Sequence, residues 1–131
     1  MIGYVTLRTD NLERARAYFD PLFASVGAKR ILQFPDEEGG FTMYGTSFVK
    51  PAVVITSTYD KAPADCGNGN MVALVFDAPA KVDAFHAKAL ELGGSDDGPP
   101  GFRGDPAQGY YFGYFRDPDG HKFAAYCITT L

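Results

Sequence analysis

The sequence repeats its own pattern at an offset of 67 residues, and this repeat limits the possible folds more than any other feature. The shift aligns residues 4–7 with residues 71–74, two stretches typical of β-strands. The same shift aligns three further pairs: Asp10 with Asp77, Tyr18 with Phe85, and Gly27 with Gly94. A strand, a helix cap, an apolar helix position and a helix stop therefore coincide, which predicts a duplicated module.

Hydrophobic periodicity predicts the order βαβββ in each half. In the first half we expect strands at 2–9, 28–34, 41–46 and 52–58, and a helix from Leu12 to Val26 that Pro21 breaks into two pieces near Asp20. In the second half we expect a strand at 70–76, a helix at 81–92 and a Gly/Pro-rich loop at 95–108. Asp10 or Asn11 should cap the first helix and Asp77 the second. One domain is predicted, made of a module at 1–58, a linker at 59–69 and a module at 70–131.

An aromatic hairpin is predicted near the C-terminus. Residues 110–116 read as a strand, and residues 121–128 read as a second one. Between them stands Asp117-Pro118-Asp119-Gly120, in which Pro118 presets its own φ and Gly120 tolerates positive φ. The two strands should therefore pair in antiparallel fashion.

Composition excludes several partner classes. The chain has 131 residues, 46% of them hydrophobic, and a net charge of −4, so it can form a real core but carries no basic cluster suited to a phosphate backbone. We therefore expect no nucleic-acid partner. No apolar run approaches a membrane span and the start lacks a signal-peptide pattern, so we expect no membrane partner and a cytoplasmic protein. Cys66 and Cys127 are too far apart in sequence to suggest a cysteine metal site.

The paired modules, the start Asp10-Asn11-Leu12-Glu13-Arg14-Ala15 and the hairpin motif with His121 and Lys122 resemble the vicinal-oxygen-chelate superfamily, which includes glyoxalases, bleomycin-resistance proteins and extradiol dioxygenases. The resemblance covers nearly the whole chain. It implies an α+β fold in which two βαβββ modules form a curved half-barrel sheet with the helices outside and a ligand cleft within. It also implies a homodimer.

The resemblance implies three metal-ligand positions, and this sequence departs from the family pattern at each. Metal-using relatives carry histidine where this chain has Tyr4 and Met71, and glutamate where it has Ala124. A protonated phenol, a thioether and a methyl group are poor ligands for hard or borderline divalent metals. We therefore expect no metal and no other cofactor.

The remaining polar candidates are expected to be structural. His86 should lie on the second helix and His121 at the hairpin tip, and neither has a second histidine or a carboxylate at the spacing of a metal motif. The acidic runs at 36–38 and 96–97 are expected to be solvated.

Strand alternation places Tyr110, Phe112 and Tyr114 on one strand face, and Tyr126 shares the face of Ala124. The resemblance implies that Tyr114 contacts substrate, and Arg103 in the predicted loop could pair with an anionic group. The candidate ligand-binding residues are Tyr4, Met71, Arg103, Tyr110, Tyr114 and Tyr126; no catalytic residue is assigned.

Three functions remain open at this point. The first is binding of a small aromatic or planar molecule without metal. The second is a glyoxalase-type lyase or dioxygenase-like enzyme that uses relocated metal ligands or tyrosine acid/base groups, and the third is partner binding by a degenerate paralogue. The missing ligands favour the first, because a tyrosine near its ordinary pKa is a weak base at neutral pH.

Overall fold

The computed structural model describes residues 1–131, which form two compact units, Met1–Cys66 and Gly67–Leu131. The first unit contains the strands β1 (Tyr4–Arg8), β2 (Lys29–Gln33), β3 (Thr42–Gly45) and β4 (Ala52–Thr56), the helix α1 (Leu12–Ala24) and a short 3-10 helix at Asp36–Glu38. Its strands form one sheet in the order β1-β4-β3-β2, in which only β1 and β4 are parallel.

The second unit has the same order of elements. It contains β5 (Met71–Val75), α2 (Pro79–Glu91), β6 (Ser95–Phe102), β7 (Tyr110–Arg116) and β8 (Lys122–Ile128), with a short 3-10 helix at Pro106–Gln108. The sheet order is β5-β8-β7-β6, and β5 runs parallel to β8. Two βαβββ modules, each with an open four-stranded mixed sheet and one helix, confirm the predicted α+β class.

The offset of 67 residues holds to the residue for the first strand and the helix of each unit, since β1 maps onto β5 and α1 onto α2. The predicted N-terminal caps of the two helices are only partly correct. Asn11 caps α1 by accepting from the N–H of Arg14, whereas α2 begins after Ala78 and Asp77 pairs with Lys81 instead. The second helix stops at the predicted pair Gly93-Gly94, but Gly93, one position before the offset partner of Gly27, has the positive φ.

Pro21 does not break the first helix, contrary to prediction. α1 runs without interruption to Ala24, and its Pro21 carbonyl still accepts from the N–H of Ser25. A proline one turn from the end removes a single hydrogen bond, and burial of Leu22 and Phe23 just beyond it offsets that loss. Val26 lies beyond the helix and is exposed, so the predicted end of the helix was two residues too late.

The Gly/Pro-rich stretch at 95–108 is not a loop throughout, because its first eight residues form β6. This strand is at the edge of its sheet and pairs only with β7. Its register shifts twice around Gly98, and an irregular edge strand can accommodate Pro99 and Pro100, which have no N–H to donate. The prediction failed because proline excludes a central strand but not an edge strand.

Each sheet packs one face on its own helix. In the second unit the helix-facing rings of Phe115 and Phe123 stack at 5.3 Å between centroids, and Phe85 of α2 lies 5.8 Å from Phe115. In the first unit Tyr44 of β3 is buried and donates to Asp20 of α1 at 2.7 Å. Neither helix is long and apolar enough to cross a membrane.

Candidate functional site

Strand alternation in β7 and β8 separates the helix-facing residues from a second set. Tyr111 marks the helix side, because its hydroxyl donates to Asp83 of α2 at 2.6 Å. The pairing register then places the other set on the opposite face, which we call the aromatic face. It comprises Tyr110, Phe112, Tyr114 and Arg116 of β7, Lys122, Ala124, Tyr126 and Ile128 of β8, and Met71, Ala73 and Val75 of β5.

Three rings form the centre of the aromatic face. Phe112 stacks on Tyr126 with centroids 4.8 Å apart and planes 14° from parallel, and it lies 6.0 Å from the ring of Tyr114. All three side chains are half-buried. The hydroxyls of Tyr114 and Tyr126 have no hydrogen-bond partner in the protein, although a half-buried phenol ordinarily finds one. Because Phe112 and Tyr126 stack face to face, the row presents apolar ring edges, together with two free polar groups.

Two cations lie over the ring of Tyr114. The Lys122 ammonium is 5.1 Å from its centroid and the Arg103 guanidinium is 5.4 Å away, both within cation–π range. The guanidinium of Arg103 is held in place by donating to the backbone carbonyls of Gly101 at 3.1 Å and Pro99 at 2.7 Å.

One carboxylate accompanies these cations. Asp97 of β6 lies 3.2 Å from the Lys122 ammonium and 3.3 Å from Nε of Arg116. The hydrogen bond from Lys122 lowers the pKa of Asp97 below its ordinary value, and the charge of Arg116 acts in the same direction. Asp97 therefore stays ionised and neutralises part of this positive charge.

The structure brings together three of the six candidate residues. Tyr114, Tyr126 and Arg103 lie around the same rings, as described above. Met71 is on the same face, half-exposed, and pairs in register with Lys122, whereas Tyr110 lies at the far end of β7 opposite Ile128. Tyr4 belongs to the first unit, where it is half-exposed and contacts Phe41 edge-on at 5.9 Å.

Sequence reasoning missed Lys122, Arg116 and Asp97 as members of this site. Alternation could have placed Arg116 and Lys122, because each stands two residues from a residue already assigned to the face. Asp97 could not be found, because its strand was read as a loop.

The positions that the resemblance assigns to metal ligands do not provide a suitable donor set. Ala124 is fully buried and lies in register between Tyr114 of β7 and Ala73 of β5. Met71 pairs in register with Lys122 and offers a soft thioether. At these two positions of the second sheet, a thioether and a methyl group replace the nitrogen and oxygen ligands that such ions prefer.

One group of possible metal donors exists elsewhere and includes His121, for which the sequence showed no carboxylate at the spacing of a metal motif. Donor atoms of Asp117, Asp119 and His121 lie within 4.8 Å of one another at the β7–β8 turn. Both oxygens of the buried Asp117 are already used, one by the backbone N–H of His121 and the other by its Nδ1, each at 2.8 Å. This geometry closes the turn.

His86 lies on α2, as predicted, but it is held by hydrogen bonds inside the unit instead of facing solvent. It is buried, and its Nε2 lies 3.0 Å from both Asp96 Oδ1 and the carbonyl of Tyr114. Because both neighbours are acceptors, Nε2 carries the proton, and the ring joins α2 to β6 and β7.

A cavity of about 540 Å³ is lined by residues of the first unit. Its lining mixes charges of both signs, including Arg8, Glu37, Glu38 and Lys61. The Arg8 guanidinium already donates to the carbonyl of Ser57 at 2.6 Å, and the one ring there, Tyr59, is almost fully exposed. This cavity therefore offers no apolar surface on which a planar ligand could be buried.

Comparison with known proteins identifies the family. The sequence profile of the Glyoxalase/Bleomycin resistance protein/Dioxygenase superfamily matches residues 1–125. The chain belongs to this superfamily. No curated protein matches the chain significantly.

Solved structures of the glyoxalase/bleomycin resistance protein/dioxygenase superfamily share this fold. A glyoxalase/bleomycin resistance protein from Albidiferax ferrireducens T118 is 29% identical, with a TM-score of 0.79 over 97% of this chain and 98% of that one. A glyoxalase-related enzyme from Fulvimarina pelagi is 19% identical, with a TM-score of 0.74 over 97% and 87%. Glyoxalase I from Zea mays is 24% identical, with a TM-score of 0.72 over 95% of this chain and 43% of the maize protein. The last two likenesses concern the fold alone.

Proposed function

We propose that this protein binds a small planar, aromatic molecule on the aromatic face of its second sheet, without the divalent metal that its superfamily uses. The observation that carries the proposal is the set of three half-buried rings, Phe112, Tyr114 and Tyr126, in which both phenols lack a protein partner. A flat ligand packed against the edges of these rings would bury apolar area and could bond to the free hydroxyls.

Tyrosines with a purely structural role look different in this chain. Tyr44 is 2% exposed and donates to Asp20, and Tyr111 donates to Asp83. Burial and the bond to Asp20 raise the pKa of Tyr44 far above its ordinary value, so that phenol stays protonated and acts as a donor. Tyr114 and Tyr126 have no such partner, which supports a binding role for them.

Metal independence is supported by the donor set. Met71 and Ala124 stand where the resemblance expects ligands, and Lys122 is next to Met71 in register. A metal site here would need nitrogen or oxygen ligands in place of both side chains.

Two measurements test this proposal. Elemental analysis of protein purified without chelator should find less than stoichiometric Ni, Zn, Mn and Fe. Titration with naphthamide, an uncharged planar probe, should show saturable binding by calorimetry, and Tyr126→Leu should weaken it about 5-fold because the stacked ring is lost. Tyr59→Leu removes an exposed tyrosine of the first unit and should leave the affinity unchanged.

A stoichiometric metal, or a Tyr126→Leu variant that binds the probe as tightly as the unaltered protein, would contradict the proposal. The metal result would favour the glyoxalase-type enzyme instead. The expected homodimer stays a prediction, which light scattering at micromolar concentration can test.

A further inference from the structure

The aromatic face carries a local excess of positive charge within an acidic unit. Residues 67–131 contain five lysines and arginines against eight aspartates and glutamates. Three of those five cations, Arg103, Arg116 and Lys122, lie around the rings, and Asp97 is the one carboxylate paired with any of them. Cations therefore outnumber acids at the rings, whereas acids outnumber cations over the unit.

Arg103 is the least compensated of these cations. Arg116 and Lys122 share Asp97, but the half-buried guanidinium of Arg103 has no carboxylate partner and bonds only to the carbonyls of Gly101 and Pro99. A partly desolvated cation without a counter-ion is unfavourable, so the arrangement is suited to receiving an anion. The two carbonyls hold the guanidinium above Tyr114 and leave further N–H donors available.

The position of the two cations over Tyr114 sets the polarity of the face. The Lys122 ammonium and the Arg103 guanidinium lie 5.1 Å and 5.4 Å from the Tyr114 centroid. In the strand register Lys122 and Tyr126 lie on opposite sides of Ala124, the partner of Tyr114. Positive charge therefore gathers at Tyr114, next to the stacked apolar rings of Phe112 and Tyr126. A ligand that fits both features carries an acidic group at one end of a flat ring system.

We propose that the ligand is an aromatic carboxylate, with its ring on Phe112 and Tyr126 and its carboxylate between Arg103 and Lys122. The inference rests on the proposed function, because it needs a ligand on this face, and it adds the charge of that ligand. A carboxylate gains charge-assisted hydrogen bonds from Arg103 and Lys122. An aromatic amine would meet like charges at the same position on the face.

Three probes of one shape test the charge on the unaltered protein: naphthoate, naphthamide and naphthylmethylamine. Calorimetric titration at neutral pH should give naphthoate an affinity about 10-fold higher than naphthamide, and naphthylmethylamine the weakest binding. Raising the salt concentration from about 50 mM to about 500 mM should weaken naphthoate binding and leave naphthamide binding unchanged. This comparison requires no variant to fold.

Variants then locate the carboxylate. Arg103→Gln should reduce the naphthoate affinity about 5-fold to 10-fold and leave the naphthamide affinity within about 2-fold, and Arg103→Lys should recover part of the loss. Lys81→Gln removes the same charge from the exposed surface of α2 and should change neither affinity.

The outcomes separate the two proposals. Equal affinities for naphthoate and naphthamide would overturn the inference about charge and leave the proposed function standing. Tighter binding of naphthylmethylamine would overturn it as well. Failure of all three probes to bind would overturn both proposals.

Discussion

The two sheets of this protein share a topology but differ on the face turned away from the helix. In the first sheet that face holds a buried apolar cluster, made of Met43, Ala52 and Val54 with the partly buried Ile31, Leu32 and Phe41. In the second sheet it holds half-buried rings and cations. The register aligns the two faces position by position: Ala52 with Lys122, Val54 with Ala124, and Met43 with Tyr114.

This difference shows which residues the fold needs and which it leaves free. Both helix-facing sides keep large buried side chains, such as Tyr44 in the first unit and Phe115 in the second. The opposite faces have diverged, one toward aliphatic packing and the other toward rings, free hydroxyls and charge. Polar groups without partners on a half-buried face reduce stability, and ligand binding is a reason to keep them. The second sheet is therefore the better candidate for a ligand site.

The largest expected effect is on stability, and it comes from two single substitutions at the equivalent positions 52 and 122, each introducing the residue found at the other position. Ala52→Lys places a charge in the buried cluster beside Gly45 and should lower the free energy of unfolding by about 3 kcal/mol. Lys122→Ala loses only a partly exposed ion pair with Asp97 and should cost less than about 1 kcal/mol. Urea unfolding of both variants measures the contrast, and equal losses would show that the two faces are alike.

A smaller effect is expected from removing one hydroxyl in each unit. Tyr44→Phe deletes a buried donor to Asp20 and should cost about 1.5 kcal/mol. Tyr114→Phe deletes a hydroxyl with no protein partner and should change the free energy of unfolding by less than about 0.5 kcal/mol. Thermal or urea unfolding decides this; a Tyr114→Phe loss as large as that of Tyr44→Phe would mean that the Tyr114 hydroxyl is structural.

The fold could be predicted from the sequence because its signals are local and repeated. The helical periodicity and the Asp117-Pro118-Asp119-Gly120 turn act within a few residues, and the offset of 67 residues shows the same pattern twice. The structure bears out the elements that these signals predict. β6 could not be predicted in the same way. Its Gly and Pro content is compatible with a strand only at a sheet edge, and edge position is a property of the assembled sheet.

The candidate site was partly predictable for a related reason. Alternation along a single strand gave the shared face of Tyr110, Phe112 and Tyr114, which the pairing register is consistent with. The position of Arg103 over Tyr114 and the pairing of Asp97 with Lys122 depend on contacts between β6 and its neighbours. Such contacts depend on the register in which β6 pairs with β7, and this register could not be predicted from the sequence.

The smallest expected effect is the pH dependence of two ion-paired carboxylates, one in each unit. For Asp20, burial alone would raise the pKa, but hydrogen bonds from Arg30 and Tyr44 outweigh it and lower the pKa below its ordinary value. A depressed carboxyl pKa contributes stability that is fully present above the unfolded value of about 4 and is lost as the pH falls through the folded value. The stability difference between the unaltered protein and Asp20→Asn should therefore be constant near neutral pH and shrink below about pH 4.

Asp97 should show the same sign with a smaller amplitude. The hydrogen bond from Lys122 lowers its pKa, but Asp97 lacks the two-point guanidinium contact and the phenol donor that Asp20 has. Urea unfolding of Asp97→Asn and Asp20→Asn at neutral pH and at about pH 3 compares the two losses. A difference between Asp20→Asn and the unaltered protein that grows on acidification would contradict the assigned direction. If acidification reduces the stability contribution of Asp97 more than that of Asp20, the charges of the aromatic face stabilise the fold. That result would weaken the argument that these charges bind a ligand.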